Sequence, residues 1–285
     1  MKSNLLRRKS MFSRATTLVA LCASVAFSAQ AKTDTVTVTG STSVSHVMEI
    51  LAEAYSTSHK DTFIAIQGIG SSAGISAVKQ DAAEMGMSSR RLSEDEITPD
   101  VKMVTIAHDG IALVVNKNNP VDNLTKEQVS KIYHGEIKNW KEVGGPDLKM
   151  AVVSRENASG SRFSFEDFMG LTQNIKGHRV SDINPQLLVV NTNGMVKSLV
   201  SRNLHALGYM SLGSVDDSIK PLSFEGIKPT IDNLESGDYL ISRPFLMLYK
   251  EKNVSKNAQA FLNYVTSSEG QNIIDERGYI AINKS

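Results

Sequence analysis

The sequence predicts an α/β protein, and two observations support that prediction. Short apolar runs with strand-like character are followed by turns of small residues, and each turn leads into a segment with apolar residues at helical spacing. This strand, turn and helix unit recurs, with strands at 35–39, 62–67 and 150–153. Repeated units of this kind indicate largely parallel sheets flanked by helices. Ligands in such sheets bind beyond the carboxyl ends of the strands, so the three turns are expected to face a binding site.

Each unit follows from its own residues. The first strand alternates valine and threonine, and the segment 43–58 after it places apolar side chains at helical spacing. The second strand leads into a glycine-rich and serine-rich turn at 68–72 and a helix at about 73–80. The third strand leads into the turn 154–161 and a further helix. The same order of elements in all three units favours one architecture over unrelated segments.

Two other apolar runs, at 111–115 and 245–249, are predicted to carry the chain from one lobe to a second and back. They bracket a middle segment of about 130 residues, and a chain of this length is sufficient for two lobes of ordinary size. The predicted organisation is a signal peptide at 1–31, a first lobe made of 32–113 and 244–285, and a second lobe at 114–243.

The amino-terminal segment has the pattern of a secretory leader. A basic stretch precedes an apolar run at 18–27, and Ala29-Gln30-Ala31 places small residues where a signal peptidase cuts. We therefore expect cleavage after Ala31 and a periplasmic location. Cys22 is the only cysteine, so the mature chain is expected to form neither a disulfide nor a thiolate metal site.

The charge of the mature chain argues against several classes of partner. Without the leader, the chain has 26 basic and 30 acidic residues and a net charge of −4. This balance is poorly suited to nucleic acids or anionic membranes, so an anion would have to be held by a local group of residues. The sequence contains no metal-binding histidine motif and no P-loop, and we expect no cofactor.

Three turns share one composition and are the candidate site. They are Gly40-Ser41-Thr42-Ser43, Gly70-Ser71-Ser72-Ala73-Gly74 and Ala158-Ser159-Gly160-Ser161. Each places hydroxyls and unpaired backbone amides at a helix start, where the helix dipole favours anions. Arg155 adds a planar fork of donors suited to a tetrahedral oxyanion. Helix capping alone is the simpler interpretation of any one turn, but three alike together with an arginine favour a shared ligand.

Longer motifs around these turns resemble the phosphate-specific substrate-binding proteins of ABC importers, the PstS family. The matching stretches are TGSTSV at 39–44, QGIGSSAGISAV at 67–78, GMSSRRL at 86–92, LTKEQVSKIYHGEIKNW at 124–140 and SRENASGSRFSFE at 154–166. The resemblance implies a two-lobed periplasmic-binding-protein-like fold of type II, with a central mixed sheet flanked by helices in each lobe and the ligand in the cleft between them. It also implies a receptor, not an enzyme, that binds inorganic phosphate and delivers it to a membrane permease. We expect a monomer.

The resemblance also implies which residues hold the phosphate. The set that it carries over to this chain is Ser41, Thr42, Ser43, Ser71, Ser89, Arg155, Ser159, Gly160, Ser161 and Asn193. At position 89 some family members have an aspartate that accepts the proton of phosphate, which sulfate lacks. A serine both donates and accepts, so another tetrahedral anion such as sulfate remains an alternative ligand. Asp109 is a candidate for the missing acceptor, although shaping its turn is a simpler role.

A different class of protein also fits one motif. The sequence Gly70-Ser71-Ser72-Ala73-Gly74 matches the G-x-S-x-G turn of serine hydrolases, with Ser72 as the nucleophile. Such an enzyme needs a histidine base, and His134, His178 and His205 are available later in the chain. None of the three lies in a motif typical of a catalytic base, so the hydrolase is the weaker hypothesis.

Overall fold

Strands and helices alternate through the computed structural model, which describes residues 34–282. Within this range the strands are β1 (Asp34–Gly40), β2 (Thr62–Gly68), β3 (Met85–Ser88), β4 (Val101–Val115), β5 (Asn123–Leu124), β6 (Ala151–Arg155), β7 (Thr172–Ile175), β8 (His178–Ser181), β9 (Leu188–Val190), β10 (Ala206–Ser211), β11 (Lys220–Pro221), β12 (Ser223–Phe224), β13 (Ser242–Lys250) and β14 (Ile280–Ala281). The predicted signal peptide, its cleavage site and Cys22 lie outside the described residues.

The described helices are α1 (Thr42–Ser56), α2 (Ser71–Lys79), α3 (Lys126–His134), α4 (Gly160–Met169), α5 (Asn193–Arg202), α6 (Ile231–Glu235), α7 (Lys256–Thr266) and α8 (Ser268–Glu276), with short 3₁₀ helices at Trp140–Val143 and Leu212–Ser214. Three of the described helices, α1, α2 and α4, fall where the repeated units predict them. Helix α2 begins two residues earlier than predicted, because Gly70 takes a positive φ of 98° and starts the helix directly after the turn. Ser71 and Ser72 therefore belong to its first turn.

One mixed sheet runs through the described chain in the order β2-β1-β3-β13-β4-β10-β6-β9. Its flanks are parallel: β1 pairs with β2 and β3, and β6 pairs with β10 and β9. Its centre is antiparallel, since β13 pairs with β3 and β4, and β10 with β4. The expectation of largely parallel sheets therefore holds for the flanks and fails at the centre, where long strands return the chain across the sheet.

Strand β4 belongs to both parts of this sheet. Its residues 101–110 pair with β13, while 111–115 pair with β10. We call β2-β1-β3-β13 with residues 101–110, together with the turns and the helices α1 and α2 that follow these strands, the first half-sheet. Residues 111–115 with β10-β6-β9, together with the turn and the helix α4 that follow β6, are the second half-sheet. Residues 245–249 pair within the first half-sheet. The described chain packs as one compact unit, so the lobe boundaries near 113 and 243 stay a prediction.

Separate apolar cores hold the two half-sheets and fix the helices that start at the turns. In the first, Val38 of β1 packs with Met48 of α1 and Phe261 of α7. In the second, the rings of Phe165 in α4 and Tyr209 in β10 stack with their centroids 4.0 Å apart. Full burial of such side chains stabilises the fold by about 1.5–3 kcal/mol each. The amino-terminal ends of α1 and α4 are thereby held in fixed positions beyond the strands.

Candidate functional site

The first turn starts α1 at the end of β1. Ser41 is the N-cap, and its Oγ accepts hydrogen bonds from the backbone amides of Ser43 and Val44 at 3.2 and 3.3 Å. Gly40, with φ of 142°, lets the chain pass against the backbone of Met87, where a β-carbon would collide. The turn therefore requires glycine at this position, and it aims the start of α1 along the carboxyl edge of the sheet.

The second and third turns start α2 and α4. Ser71 Oγ, fully buried, accepts a hydrogen bond from the backbone amide of Ser89 at 3.1 Å. Ser159 is the N-cap of α4, and its Oγ accepts from the amide of Arg162 at 3.2 Å. Ser159 thus uses its hydroxyl oxygen as a cap, the simpler of the two roles predicted for it.

These turns meet in one buried cluster of hydroxyls. Ser43 Oγ of α1 lies 3.1 Å from Ser161 Oγ of α4, although the two residues are 118 positions apart. Ser41 donates to Ser89 Oγ at 2.8 Å, and Ser71 Oγ lies 3.4 Å from the same oxygen. We call Ser41, Ser43, Ser71, Ser89 and Ser161 the hydroxyl cluster. Because three helix starts meet here, their dipoles make the cluster favourable for an anion.

Gly160 allows this close approach. A β-carbon at Gly160 would collide with Ser71 Oγ and lie 2.6 Å from Ser89 Oγ. Any larger residue would therefore push the start of α4 away from α2. The predicted site glycine thus stands where the start of α4 packs against Ser71 and Ser89.

Arg155, the last residue of β6, is 1% exposed and reaches the edge of the cluster. Its Nη2 donates to Thr42 Oγ1 at 3.0 Å and its Nη1 to Asn193 Oδ1 at 3.1 Å. Asn193 in turn donates to Ser43 Oγ at 3.0 Å. Glu156 pairs with Arg155 Nε at 3.1 Å and fixes the direction of the guanidinium. The structure therefore brings three of the predicted site residues, Arg155, Thr42 and Asn193, together beside the cluster.

Arg243 is a residue of the site that the sequence reasoning missed. It lies in β13, and its Nη1 donates to Ser161 Oγ at 2.7 Å and to Ser89 Oγ at 3.3 Å. Its Nη2 donates to Ser43 Oγ at 3.1 Å. One guanidinium therefore contacts hydroxyls of both half-sheets. The available signal was a pair of opposite charges, Asp109 and Arg243, each next to a strongly apolar strand run.

Asp109 is the partner of Arg243 and not a member of the cluster. The two residues face each other in the register of β4 and β13, and Asp109 Oδ2 accepts from Nη2 and Nε of Arg243 at 2.8 and 3.1 Å. Both side chains are almost completely buried. Burial raises the pKa of the Asp109 carboxyl, and the charge of Arg243 opposes that rise. Asp109 thus orients Arg243 toward the hydroxyls.

The alternative nucleophile Ser72 has different neighbours. Its Oγ accepts a hydrogen bond from Arg90 Nη2 at 2.9 Å. His134 is paired with Asp182 at 3.0 Å, and His205 with the carbonyl of Lys149. Among the described contacts none joins a histidine to Ser72, and a triad needs that contact.

Within residues 34–282, no three His, Cys, Asp or Glu side chains are grouped so that they could hold a metal ion. No helix in that range has the length and apolar character needed to span a bilayer.

This chain is similar to a known protein family and to solved structures. Residues 26–269 match the model of the PBP superfamily domain. The phosphate-binding protein PstS of Borreliella burgdorferi is 32% identical over 251 residues, which cover 87% of this chain and 90% of that protein. PstS of Bacillus subtilis is 29% identical over 251 residues, covering 86% and 80%.

Two solved structures are similar to this chain over most of its length. An ABC-type phosphate transport receptor from Vibrio cholerae is 47% identical with a TM-score of 0.72, covering 87% of this chain and 100% of that one. A phosphate ABC transporter substrate-binding protein from Clostridium perfringens, solved with bound phosphate, is 41% identical with a TM-score of 0.82. The match covers 88% of this chain and 100% of that one. The α/β fold expected from the sequence is confirmed by these two structures.

Proposed function

Because this chain belongs to the PstS family of phosphate-binding proteins, we propose that it binds inorganic phosphate in the hydroxyl cluster and delivers it to the permease of an ABC importer. It is a transport receptor and not an enzyme. The observation that carries the proposal is the meeting of Ser43, Ser161 and Arg243, which come from three distant parts of the chain. Capping accounts for the hydroxyl of Ser41, but neither capping nor core packing explains why the buried hydroxyls of Ser43, Ser89 and Ser161 all accept from one guanidinium.

The proposed ligands are the residues predicted from the sequence, with Arg243 added and Ser159 moved to a supporting role. They are Ser41, Thr42, Ser43, Ser71, Ser89, Arg155, Gly160, Ser161, Asn193 and the new member Arg243, with Ser159 supporting them as the cap of α4. Binding energy in such a site comes from desolvated, charge-assisted hydrogen bonds, which are about twice as strong as neutral ones. The two guanidiniums are each paired with a carboxylate, so they keep a fixed direction toward the ligand.

Sulfate is the second candidate ligand, and the contacts of Ser89 support it. The two carboxylates beside the site, Asp109 and Glu156, are each committed to an arginine. Ser89 Oγ is in contact with Ser41 and Arg243. A hydroxyl can accept the proton of phosphate or donate to a fully ionised sulfate. Ser89 by itself therefore does not exclude sulfate.

Isothermal titration of the chain from Lys32 onward tests the proposal. After removal of copurified anion, we expect one phosphate to bind per chain, and a competing titration with sulfate ranks the two anions. Binding of sulfate alone would favour the second candidate. The proposed function fails if neither anion produces a saturable heat of binding.

We further propose that the chain closes on the anion and works as a periplasmic monomer. Closure would hold Arg155 and the turn 158–161 on the turns at 40–43 and 71–72, through the contacts already described between these turns, and opening would separate them, as in hinged receptors. Export with cleavage after Ala31 is tested by the mass of the protein recovered from the periplasm. Sedimentation with and without phosphate tests the monomer and its compaction.

A further inference from the structure

A second group of contacts joins the half-sheets outside the hydroxyl cluster, around the ring of Phe163. Phe163 lies in α4, two residues after Ser161. The guanidinium carbon of Arg90 lies 4.5 Å from the centroid of the ring, and that of Arg179 lies 4.0 Å from it. Arg90 follows β3 of the first half-sheet, whereas Arg179 lies in β8 after α4. The contact between Arg90 and the ring therefore crosses from one half-sheet to the other.

Both arginines are held in place by other groups. Glu96 accepts from Nη1 and Nη2 of Arg90 at 2.6 and 2.7 Å, and the side chain of Arg90 is 3% exposed. Arg179 Nη2 donates to the carbonyl of Phe163 at 3.0 Å. Because Arg90 is held by Glu96 independently of the ring, little freedom of the Arg90 side chain is lost in its contact with Phe163.

Two further hydrogen bonds, both to backbone carbonyls, join the half-sheets beside this ring. The amide of Ser72 donates to the carbonyl of Ala158 at 3.2 Å, and Ser164 Oγ donates to the carbonyl of Ser89 at 3.5 Å. They show that α4 lies directly against the turns of the first half-sheet here. A cation on an aromatic face is attracted more strongly when it is desolvated, as Arg90 is. The ring thus stabilises the contact between α4 and the turns of the first half-sheet.

We propose that Phe163 is a positioning residue that latches the half-sheets together and so slows release of the anion. The latch rests on the proposed function, because it acts by keeping the site closed around bound phosphate. Phe163 acts through Arg90, and its described contacts do not include the hydroxyl cluster. Phe163 therefore affects the rate at which the anion dissociates, because the latch forms only after the anion has entered.

The test is the substitution Phe163→Leu, which removes the aromatic face and keeps an apolar side chain. Association and dissociation of radiolabelled phosphate are followed by rapid filtration. We expect dissociation to become about tenfold faster, equivalent to about 1.4 kcal/mol, with association unchanged within about twofold. Phe163→Tyr keeps the aromatic face and is expected to restore the wild-type rate.

The matched control is Phe168→Leu in the same helix. The ring of Phe168 lies 4.9 Å from Lys126 Nζ and 5.8 Å from the ring of Phe224, and all three residues follow the crossing at residue 111. This substitution also removes a cation and an aromatic partner, but within one side of the molecule. We expect wild-type rates of phosphate binding and release, with thermal unfolding in the absence of phosphate recorded for both leucine variants.

The outcomes separate the two proposals. Wild-type protein that does not bind phosphate overturns both the proposed function and the latch. Wild-type binding together with an unchanged dissociation rate in Phe163→Leu overturns the latch alone, as does equally fast release from Phe168→Leu. If Phe163→Leu does not fold, Phe163→Met keeps more of the lost volume and provides the same comparison.

Discussion

Replacing Arg243 by methionine separates its two roles, because Arg243 both contacts the hydroxyl cluster and neutralises Asp109. Methionine keeps an unbranched side chain of similar length and removes every donor. The change therefore removes the hydrogen bonds to Ser43, Ser89 and Ser161 and leaves a buried carboxylate without its partner. Two quantities should respond, the affinity for phosphate and the free energy of unfolding.

The structure sets the size of both effects. Loss of a buried charged partner of a bound anion weakens binding by about 2–5 kcal/mol, which is at least about 30-fold in Kd. Leaving one member of a buried ion pair without the other destabilises a fold by about 3–5 kcal/mol. Asp109 and Arg243 are 0% and 1% exposed at the side chain, so solvent cannot replace the missing partner.

The loss of stability in Arg243→Met should depend on pH. Burial raises the pKa of the Asp109 carboxyl, and the substitution removes the charge that opposes this rise. The folded variant then holds a proton that the unfolded chain releases near its ordinary pKa of about 3.9. Because the folded state binds more protons, its stability falls as pH rises from about 4 toward the raised pKa. The deficit relative to wild type should therefore be smaller at pH 5 than at pH 8.

Urea unfolding at pH 5 and pH 8, with calorimetric titration of phosphate, measures both effects. The control is the double variant Arg243→Met with Asp109→Asn, which removes the unpaired charge. We expect it to recover most of the lost stability, to lose the pH dependence and still to bind phosphate weakly. If the double variant binds phosphate as tightly as wild type, Arg243 is not a ligand, and the reasoning about the site is refuted.

Three further substitutions test single features of the site by calorimetric titration. Arg155→Ala should weaken phosphate binding by more than about 2 kcal/mol, and a change within error would remove Arg155 from the site. Gly160→Ala should weaken binding by at least about tenfold, because the new methyl group meets Ser71 and Ser89, and an unchanged Kd would show that α4 can shift freely. Ser89→Asp should raise the preference for phosphate over sulfate by at least about tenfold, since a carboxylate accepts the proton that sulfate lacks. An unchanged ratio of the two affinities would show that the side chain at position 89 does not contact the protonated oxygen of phosphate.

The sequence alone was sufficient for the three strand, turn and helix units and for most of the proposed site. Residues 35–39 and 43–58 alternate and repeat at the spacings of a strand and a helix, and those spacings depend only on local geometry. Each of the three turns leads into a helix, so the capping chemistry of Ser41 and Ser159 was visible without a fold. The order of the motifs along the chain also indicates the family without reference to the fold.

Tertiary structure decided what these local features do together. Arg243 lies next to an apolar run, and its sequence neighbours show no reason for it to face an anion. Its place follows from the register of β13 against β4, which sets it opposite Asp109 across 134 positions of chain. The contact of Ser43 with Ser161 likewise depends on how the two half-sheets are joined. Sequence patterns report spacing along one chain segment, whereas a buried site is defined by distances between segments, and only packing determines those distances.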